Sequence, residues 1–338
     1  MERIKTLFRR VRGMSLRRMW RNLSEIHRES GRPRAVLLLD MAYCAARYGV
    51  GYLDYHVFGF AVNRGRQKRS TFMTMDHNIA LVRALNDRDY YPVFNDKIQF
   101  NRRFAAYLGR DWIDLRDAGA DGFAQFIQGR DALFAKRTDL YGGQGIERVE
   151  LRGADPVQLY DRLMAEHKYL VEEVIVQHHA LDRLCPTSVN TLRITTILSG
   201  GEAHFVYAFF RMGSGRSATD NISSGGMYTA VAEDGTLSAE AFSDKTGYYY
   251  RTHPATGMCF EGFQLPFYRE CVALCLEAAR VEPHMRYVGW DVAITETGPV
   301  LIEGNNLPGY NMCQNYRHLD PPGIGILPKV RALVDVPF

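Results

Sequence analysis

Near the C-terminal end of the sequence, two carboxylates and an amide are spaced in a way that suits a bound cation. Asp291 lies in the apolar segment 288–294, and Glu303 and Asn305 end the next segment, after the turn residues 295–298. Two strands joined by such a turn pair as a hairpin, and side chains of matching parity share one face. Carboxylate and amide oxygens suit Mg²⁺, and carboxylates this close repel one another unless a cation joins them. The pattern predicts a magnesium site, and the alternative is a surface hairpin with solvated acids.

Two arginines stand in apolar segments upstream of this hairpin. Arg193 lies within 188–195, and Arg211 ends 204–211. Arginine in an apolar strand is unfavourable unless it meets an anion. Either these arginines bind an anionic substrate or intermediate, or they form salt bridges with the acids of the hairpin. A polar stretch, DNISSGG, follows them and contains Asn221.

Two lysines precede these strands at positions suited to phosphate. Lys97 stands before the predicted helix 100–108, where the helix dipole disfavours a cation unless an anion is near. Lys136 ends the predicted strand 132–136, and a glycine loop follows it. Such a loop lets backbone N–H groups approach phosphate, but it is not a Walker or dinucleotide-binding loop, because it leads into a strand. The alternative for Lys97 is an ordinary exposed lysine. The loop contains Gly142, Gly143 and Gly145.

The segment 169–176 is typical of a buried strand, with two acids at its middle. Its backbone groups could bind adenine while Glu172 or Glu173 meets the amino group or the ribose. The residue types do not decide which acid has which role.

In their order and spacing these signals resemble the ATP-grasp superfamily. Lys97 resembles the lysine of its opening motif, and Asp291, Glu303 and Asn305 resemble its last, magnesium-binding motif before a Pro-Gly turn. The phrases SVNTLRITT and DNISSGG and the aromatic N-terminal portion resemble the sugar-transfer-associated ATP-grasp group, found near polysaccharide biosynthesis functions. The resemblance implies an α+β ATP-grasp fold, in which two lobes clasp ATP, with a mainly helical N-terminal extension.

The resemblance also implies an organisation in four parts. A chain of 338 residues with 46% apolar content can bury a sizeable core, and its length favours two or three subdomains after any extension. The predicted parts are a basic, aromatic-rich helical segment, 1–60, an N-terminal subdomain, 61–117, a first lobe with the glycine loop and hinge, 118–182, and a second lobe with the magnesium site, 183–338.

The function that the resemblance implies is ATP-dependent ligation of a small-molecule carboxylate to an amine, through an acyl phosphate, with ATP and Mg²⁺ bound. Lys97, Lys136, the glycine loop and Asn221 would bind the nucleotide, and Glu172, Glu173 and Val174 would form its adenine hinge. Arg193, Arg211 and backbone N–H groups near Gly309 would stabilise the oxyanion. The chain departs from many amide-forming relatives at Gly289, where they carry an arginine. The alternatives are a small-molecule kinase on the same fold and a nucleotide-binding partner protein of a glycan assembly system.

Composition and charge bear on the cellular location of the protein and on the role of its cysteines. No apolar run approaches the roughly 18 to 20 residues that cross a bilayer, and the start lacks a secretory signal, so a cytoplasmic location is expected. Six scattered cysteines predict neither a zinc site nor a disulfide framework. The oligomeric state is left open.

The first 34 residues are strongly basic, with eleven Arg or Lys against three Glu. Apolar residues recur among these charges at helical spacing, which predicts a basic amphipathic helix. It is expected to pack on its own domain or to contact a protein partner, and weak attachment to an anionic membrane surface is the third alternative. Nucleic-acid binding is not expected, because no interleaved aromatic pattern or known reader motif accompanies the charges.

Overall fold

The computed structural model describes residues 16–140, 145–215, 220 and 225–337. Its α-helices, in chain order, are α1 Leu16–Ser30, α2 Arg34–Tyr48, α3 Tyr52–Val57, α4 Arg66–Arg69, α5 Met75–Leu85, α6 Tyr91–Asn95, α7 Lys97–Arg103, α8 Leu115–Ile127, α9 Pro156–Ala165, α10 His179–Leu184, α11 Tyr268–Val281 and α12 Leu327–Leu333. Its strands are β1 Trp112–Asp114, β2 Ala132–Lys136, β3 Ile146–Glu150, β4 Leu170–Glu173, β5 Thr191–Ser199, β6 Glu202–Met212, β7 Met227–Ala230, β8 Ala241–Ser243, β9 Tyr248–Tyr250, β10 Tyr287–Thr295 and β11 Gly298–Asn305.

The chain divides into two compact units. Among the described residues, the first unit contains those up to Ala84, Gly247–Tyr249 and those from Leu307 onward, and the second contains Leu85–Thr246 and Tyr250–Asn306. None of the described helices is long and apolar enough to span a membrane. All six cysteines are free, as expected. The bounds of the four predicted parts stay predictions.

The first unit is helical, as the aromatic run 35–60 predicts. Helix α1 buries Leu23 and Ile26, so the described part of the basic segment packs on its own domain; residues 1–15 of that segment lie outside the described residues. Helix α2 ends where Gly49 adopts a left-handed conformation, with φ of 70°, which a glycine does without strain. The rings of Phe58, Phe60 and Phe72 contact one another at the centre of this unit.

A four-stranded antiparallel sheet in the second unit contains Lys136, at the end of β2, and β4, the strand of the predicted adenine hinge. Its strand order is β1-β4-β2-β3. Asp155 caps α9 by accepting hydrogen bonds from the N–H groups of Val157 and Gln158, and Pro156 takes the first helical position. Strand β4 is shorter than the predicted 169–176, because pairing ends at Glu173.

The larger sheet has seven strands in the order β11-β10-β5-β6-β7-β8-β9. Successive side chains point to opposite faces, so one face is apolar and packs with α11 in a core that contains Leu192, Trp290 and Leu301. The other face carries the polar candidates. Helix α11 begins at Tyr268, because Phe267 before it has φ of 52°, which is not compatible with a right-handed helix. The predicted α+β class with a helical N-terminal region is confirmed.

Candidate active site

A β-bulge in the hairpin of β10 and β11 brings the two candidate carboxylates together. From the turn outward, each pair follows a regular register as far as Val292 opposite Leu301, but the next residue of β10, Asp291, faces Glu303. Ile302 is therefore the extra residue of the bulge. Without it, Asp291 would face Ile302, and Glu303 would point toward the apolar core. The predicted proximity of Asp291 and Glu303 is confirmed, and the bulge is its cause.

Asp291 is held by both predicted arginines. Arg193 faces it directly across β5 and β10 and binds both carboxylate oxygens, with Nη2 2.9 Å from Oδ2 and Nε donating to Oδ1. Arg211 Nη2 lies 2.9 Å from Oδ2 of Asp291 and 2.8 Å from the hydroxyl oxygen of Thr191. The salt-bridge interpretation of these arginines is therefore correct for this structure. Asp220 lies 3.5 Å from Nε of Arg211 and completes the cluster.

The pKa values of the two carboxyl groups are shifted in opposite directions. Burial alone would raise the pKa of Asp291, but Arg193 and Arg211 hold it well below its usual range. Burial and the adjacent Asp291 carboxylate raise the pKa of Glu303, and the protonated form of Glu303 can donate a hydrogen bond to Asp291. Two carboxyl groups that share a proton are a place where a divalent cation can replace that proton.

The donor set fits a hard cation. Asn305 lies opposite Gly289, and its amide nitrogen donates to the carbonyl of Gly289 at 3.3 Å, which orients the amide group and leaves Oδ1 as its ligand atom. With Asp291 and Glu303 it supplies only oxygen ligands, as Mg²⁺ prefers. The arginines already neutralise part of the charge of Asp291, so a cation would share that carboxylate with them.

Both predicted lysines belong to the same electrostatic environment. Burial lowers the pKa of Lys97, the carboxylates of Glu303 and Glu172 oppose this shift, and Lys136 adds to it. Lys97 is the first residue of α7, which covers Lys97–Arg103 and not the predicted 100–108, and its side chain donates to the carbonyl of Leu140. Lys136 donates to Glu172 on the neighbouring strand. Lys97 is therefore within electrostatic range of both Glu303 and Lys136, and Lys136 is paired with Glu172.

Arg110 is a residue of this region that the sequence analysis did not identify. Its side chain is 2% exposed, and Nη2 lies 3.0 Å from Oε1 of Glu172. Nη1 donates to the carbonyl of Leu301 at 2.6 Å, and Nη2 also reaches the carbonyl of Ile302 at 3.5 Å. Arg110 thus joins the hinge strand β4 to the bulge that positions Glu303. Its only sequence signal is an arginine before a short strand, which is too common to be noticed.

The hinge acids have different surroundings. Glu172 is 2% exposed, and burial would raise its pKa, but Arg110 and Lys136 hold that pKa well below its usual range. Asn101 also donates to it at 2.7 Å. Glu173 is half-buried and accepts from the backbone N–H of Asp111 at 3.2 Å. Val174 follows the end of β4 and is half-buried. The role of Glu172, Glu173 and Val174 in nucleotide binding stays a prediction.

The remaining predicted residues are only partly described. Gly142, Gly143 and Asn221 lie outside the described residues. Gly145 has φ of 69°, and a Cβ there would lie 2.9 Å from Leu140, so this position requires glycine. Gly309 belongs to the first unit, and a Cβ there would meet no atom within 4 Å. Its oxyanion role stays a prediction.

Residues 156–318 match the family described as sugar-transfer-associated ATP-grasp. The matched segment runs from α9 through β11 and includes Glu172, both arginines, Asp291 and Glu303. Lys97, Arg110 and Lys136 precede it. No curated protein matches the chain.

Solved structures with partial likeness include proteins described as ligases and synthetases. D-alanyl-alanine synthetase A from Vibrio cholerae is 14% identical over 71% of this chain and 64% of its own, with a TM-score of 0.43. D-alanine–D-alanine ligase from Bacillus anthracis is 15% identical over 79% and 75%, with a TM-score of 0.41. D-cycloserine synthetase DcsG is 12% identical over 74% of each chain, with a TM-score of 0.44. This chain spans less than two thirds of the Vibrio cholerae protein, and none of these likenesses indicates its substrate.

Proposed function

We propose that this protein, whose residues 156–318 belong to the sugar-transfer-associated ATP-grasp family, is an ATP-dependent carboxylate–amine ligase. The observation that carries the proposal is the joint environment of Lys97, Asp291 and Glu303, in which a half-buried lysine stands within electrostatic range of a carboxyl pair suited to a hard cation, and Lys136 acts on the same lysine. Such a site can bind a polyanion and its counter-ion together. A role in polysaccharide or sugar-conjugate biosynthesis and a cytoplasmic location are finer parts of the same proposal.

Nucleotide binding would use the cations of this site. Lys97 and Lys136 would donate to phosphate oxygens, and Lys136 would then exchange its bond with Glu172 for one with phosphate. Asp291, Glu303 and Asn305 would hold Mg²⁺, which when bound offsets the charge that develops on the phosphate oxygens during transfer. Glu303 would give up its proton to become a ligand.

The chemistry would proceed in two displacements. A carboxylate oxygen of the substrate attacks the γ-phosphorus of ATP, the bond between that phosphorus and the bridging β,γ-oxygen breaks, and ADP leaves. The amine then attacks the carbonyl carbon of the acyl phosphate, inorganic phosphate leaves, and the amine nitrogen loses a proton. Arg211 is better placed than Arg193 to stabilise the oxyanion, because its side chain is 16% exposed whereas that of Arg193 is 9% exposed.

The decisive experiment is ³¹P NMR of the purified protein with Mg-ATP and hydroxylamine as a surrogate amine. Pools of amino acids, uronic acids and small hydroxy acids are added separately. Formation of ADP and phosphate that depends on the acid, with a hydroxamate, is the expected result.

Other products would support the alternatives. A new phosphomonoester resonance without free phosphate would identify a kinase and contradict the ligase. A third outcome is that the wild-type and Glu303→Gln proteins both bind ATP but do not consume it with any of the acid pools. This result would favour a nucleotide-binding partner protein.

A further inference from the structure

Helix α2 has an apolar face that is open to solvent. Leu39 is 73% exposed, and Val36 and Tyr43 are each 41% exposed. Their spacing of three and four residues puts them on one side of the helix. Exposed alanines at positions 35, 42 and 46 widen this stripe. Single exposed apolar residues are ordinary, but a contiguous stripe is typical of an interaction surface.

The exposed charges of α1 and α2 are mainly positive, and Glu29 is the one exposed acid among the described residues of these helices. Arg34 and Arg47 lie near the two ends of α2, and Arg17 and Arg21 lie on α1 beside Trp20, which is 51% exposed. None of these four arginines forms an ion pair with another described residue. We name the apolar stripe of α2, these arginines and Trp20 the basic–apolar surface.

The acidic residues of the two helices offset little of this charge, because Asp40 and Glu25 are paired with arginines within the unit and Glu29 is hydrogen-bonded to His56. Oδ2 of Asp40 lies 2.7 Å from the guanidinium Nη2 of Arg69, and it also accepts a hydrogen bond of 2.6 Å from the hydroxyl of Tyr55. The pairs are Asp40 with Arg69, Glu25 with Arg28, and Glu29 with His56.

We propose that the basic–apolar surface binds an anionic phospholipid bilayer. Arginines would meet lipid phosphates while Leu39, Tyr43 and Trp20 enter the boundary between headgroups and acyl chains. The combination matters, because either apolar insertion or basic charge alone gives only weak attachment to a membrane.

Charge also argues against a second copy of the chain as the occupant of this surface, because a symmetric interface would set the same arginines against one another. Residues 1–15 contain five Arg or Lys and one Glu, so the sequence of this region adds further positive charge that favours anionic lipid.

The test is co-sedimentation of the full chain with vesicles of phosphatidylcholine alone and of an equimolar mixture of phosphatidylcholine and phosphatidylglycerol. We expect binding to the mixed vesicles that weakens as salt is raised. Leu39→Asp is expected to weaken it by about tenfold, because the side chain no longer enters the apolar layer. Arg34→Glu with Arg47→Glu is expected to weaken it by about fivefold or more for each residue.

Matched variants in the second unit control for apolar loss and charge reversal. Val157 is 59% exposed on α9, so Val157→Asp makes the same change on another helix. Arg152→Glu with Arg183→Glu matches the double charge reversal at exposed positions. Both controls are expected to bind vesicles as the wild type does, and thermal unfolding verifies that each variant is folded.

Several results would overturn the proposal. The first is that the protein does not co-sediment with either kind of vesicle. The second is that it binds phosphatidylcholine vesicles as well as the mixed vesicles, and the third is that the Leu39→Asp variant binds as strongly as the wild type. A dimer in sedimentation velocity that Leu39→Asp dissociates, without vesicle binding, would assign the surface to a second copy instead. Capture of a protein partner without vesicle binding would contradict the lipid assignment as well.

Discussion

Arg193 and Asp291 face one another on neighbouring strands and form a two-bonded ion pair, with Nη2 2.9 Å from Oδ2 and Nε donating to Oδ1. Both residues are less than 10% exposed. A buried carboxylate that keeps its charge needs such a partner, since burial alone would favour its protonated form.

Removal of this partner is expected to destabilise the fold. Arg193→Met should lower the free energy of unfolding by about 3 kcal/mol, toward the lower end for a broken buried pair, because Arg211 still contacts Asp291. Urea unfolding followed by fluorescence measures the change. The matched control is Arg280→Met. Arg280 is 46% exposed and its partner Glu202, at 2.9 Å, is 71% exposed, so this pair should contribute about 0–1 kcal/mol. Equal effects of the two substitutions would contradict the role given to Arg193.

Glu303 is expected to be essential for turnover but not for folding. Glu303→Gln keeps the shape and the hydrogen-bonding capacity of the side chain and removes one charged ligand. ATP consumption should fall by at least about a hundredfold with the unfolding midpoint little changed. Glu296→Gln is the matched control, because Glu296 stands in the exposed turn of the same hairpin. A folded Glu303→Gln protein with normal turnover would exclude the metal assignment.

Magnesium affinity is expected to rise with pH. The pKa of Glu303 is raised above the ordinary 4.5, so without metal the carboxyl keeps its proton to higher pH than a free glutamate does. Magnesium binding requires the charged form and therefore releases a proton, and the affinity should increase as pH rises above 4.5 and through the raised pKa. Calorimetry with a non-hydrolysable ATP analogue, in two buffers of different protonation enthalpy, measures the proton released. Glu303→Gln should abolish that release, and a wild-type protein that releases none would contradict the coupling.

Arg110 is expected to act as a positioning residue for Glu303 and Glu172. Arg110→Lys retains a charge for Glu172 but cannot bind the bulge carbonyls of Leu301 and Ile302 in the same way, because lysine has no planar fork of donors. Misplacement of Glu303 should lower kcat by about a hundredfold and weaken magnesium binding in the folded variant.

The control for Arg110 is Arg130→Lys. Arg130 makes an ion pair of 2.6 Å with the mostly exposed Asp111, and its replacement should leave both readouts unchanged. The free energy of unfolding, measured in parallel, separates a positioning role of Arg110 from a purely structural one. A loss of stability with unchanged magnesium affinity would mean that Arg110 supports only the fold.

Local pattern predicted most of the strands and the identity of the polar residues. Alternation along β5 and β10 separates Arg193 and Asp291 from the apolar Leu192 and Trp290, because successive side chains of a strand face opposite ways. The turn 295–298 predicted the hairpin for the same local reason. Ends of elements were predicted less accurately, as at β4, where pairing ends at Glu173 and not at the predicted residue 176.

Only the tertiary structure decided which polar groups meet. Glu303 reaches Asp291 because Ile302 is bulged, and no residue type in β11 marks that position; the bulge is accommodated because Arg110, nearly 200 residues earlier, donates to its carbonyls. The pair of Arg193 and Asp291 likewise joins residues 98 apart. Sequence specifies local periodicity, since it acts through neighbouring atoms, whereas the register of a bulged strand and the pairing of buried charges depend on the packing of distant segments.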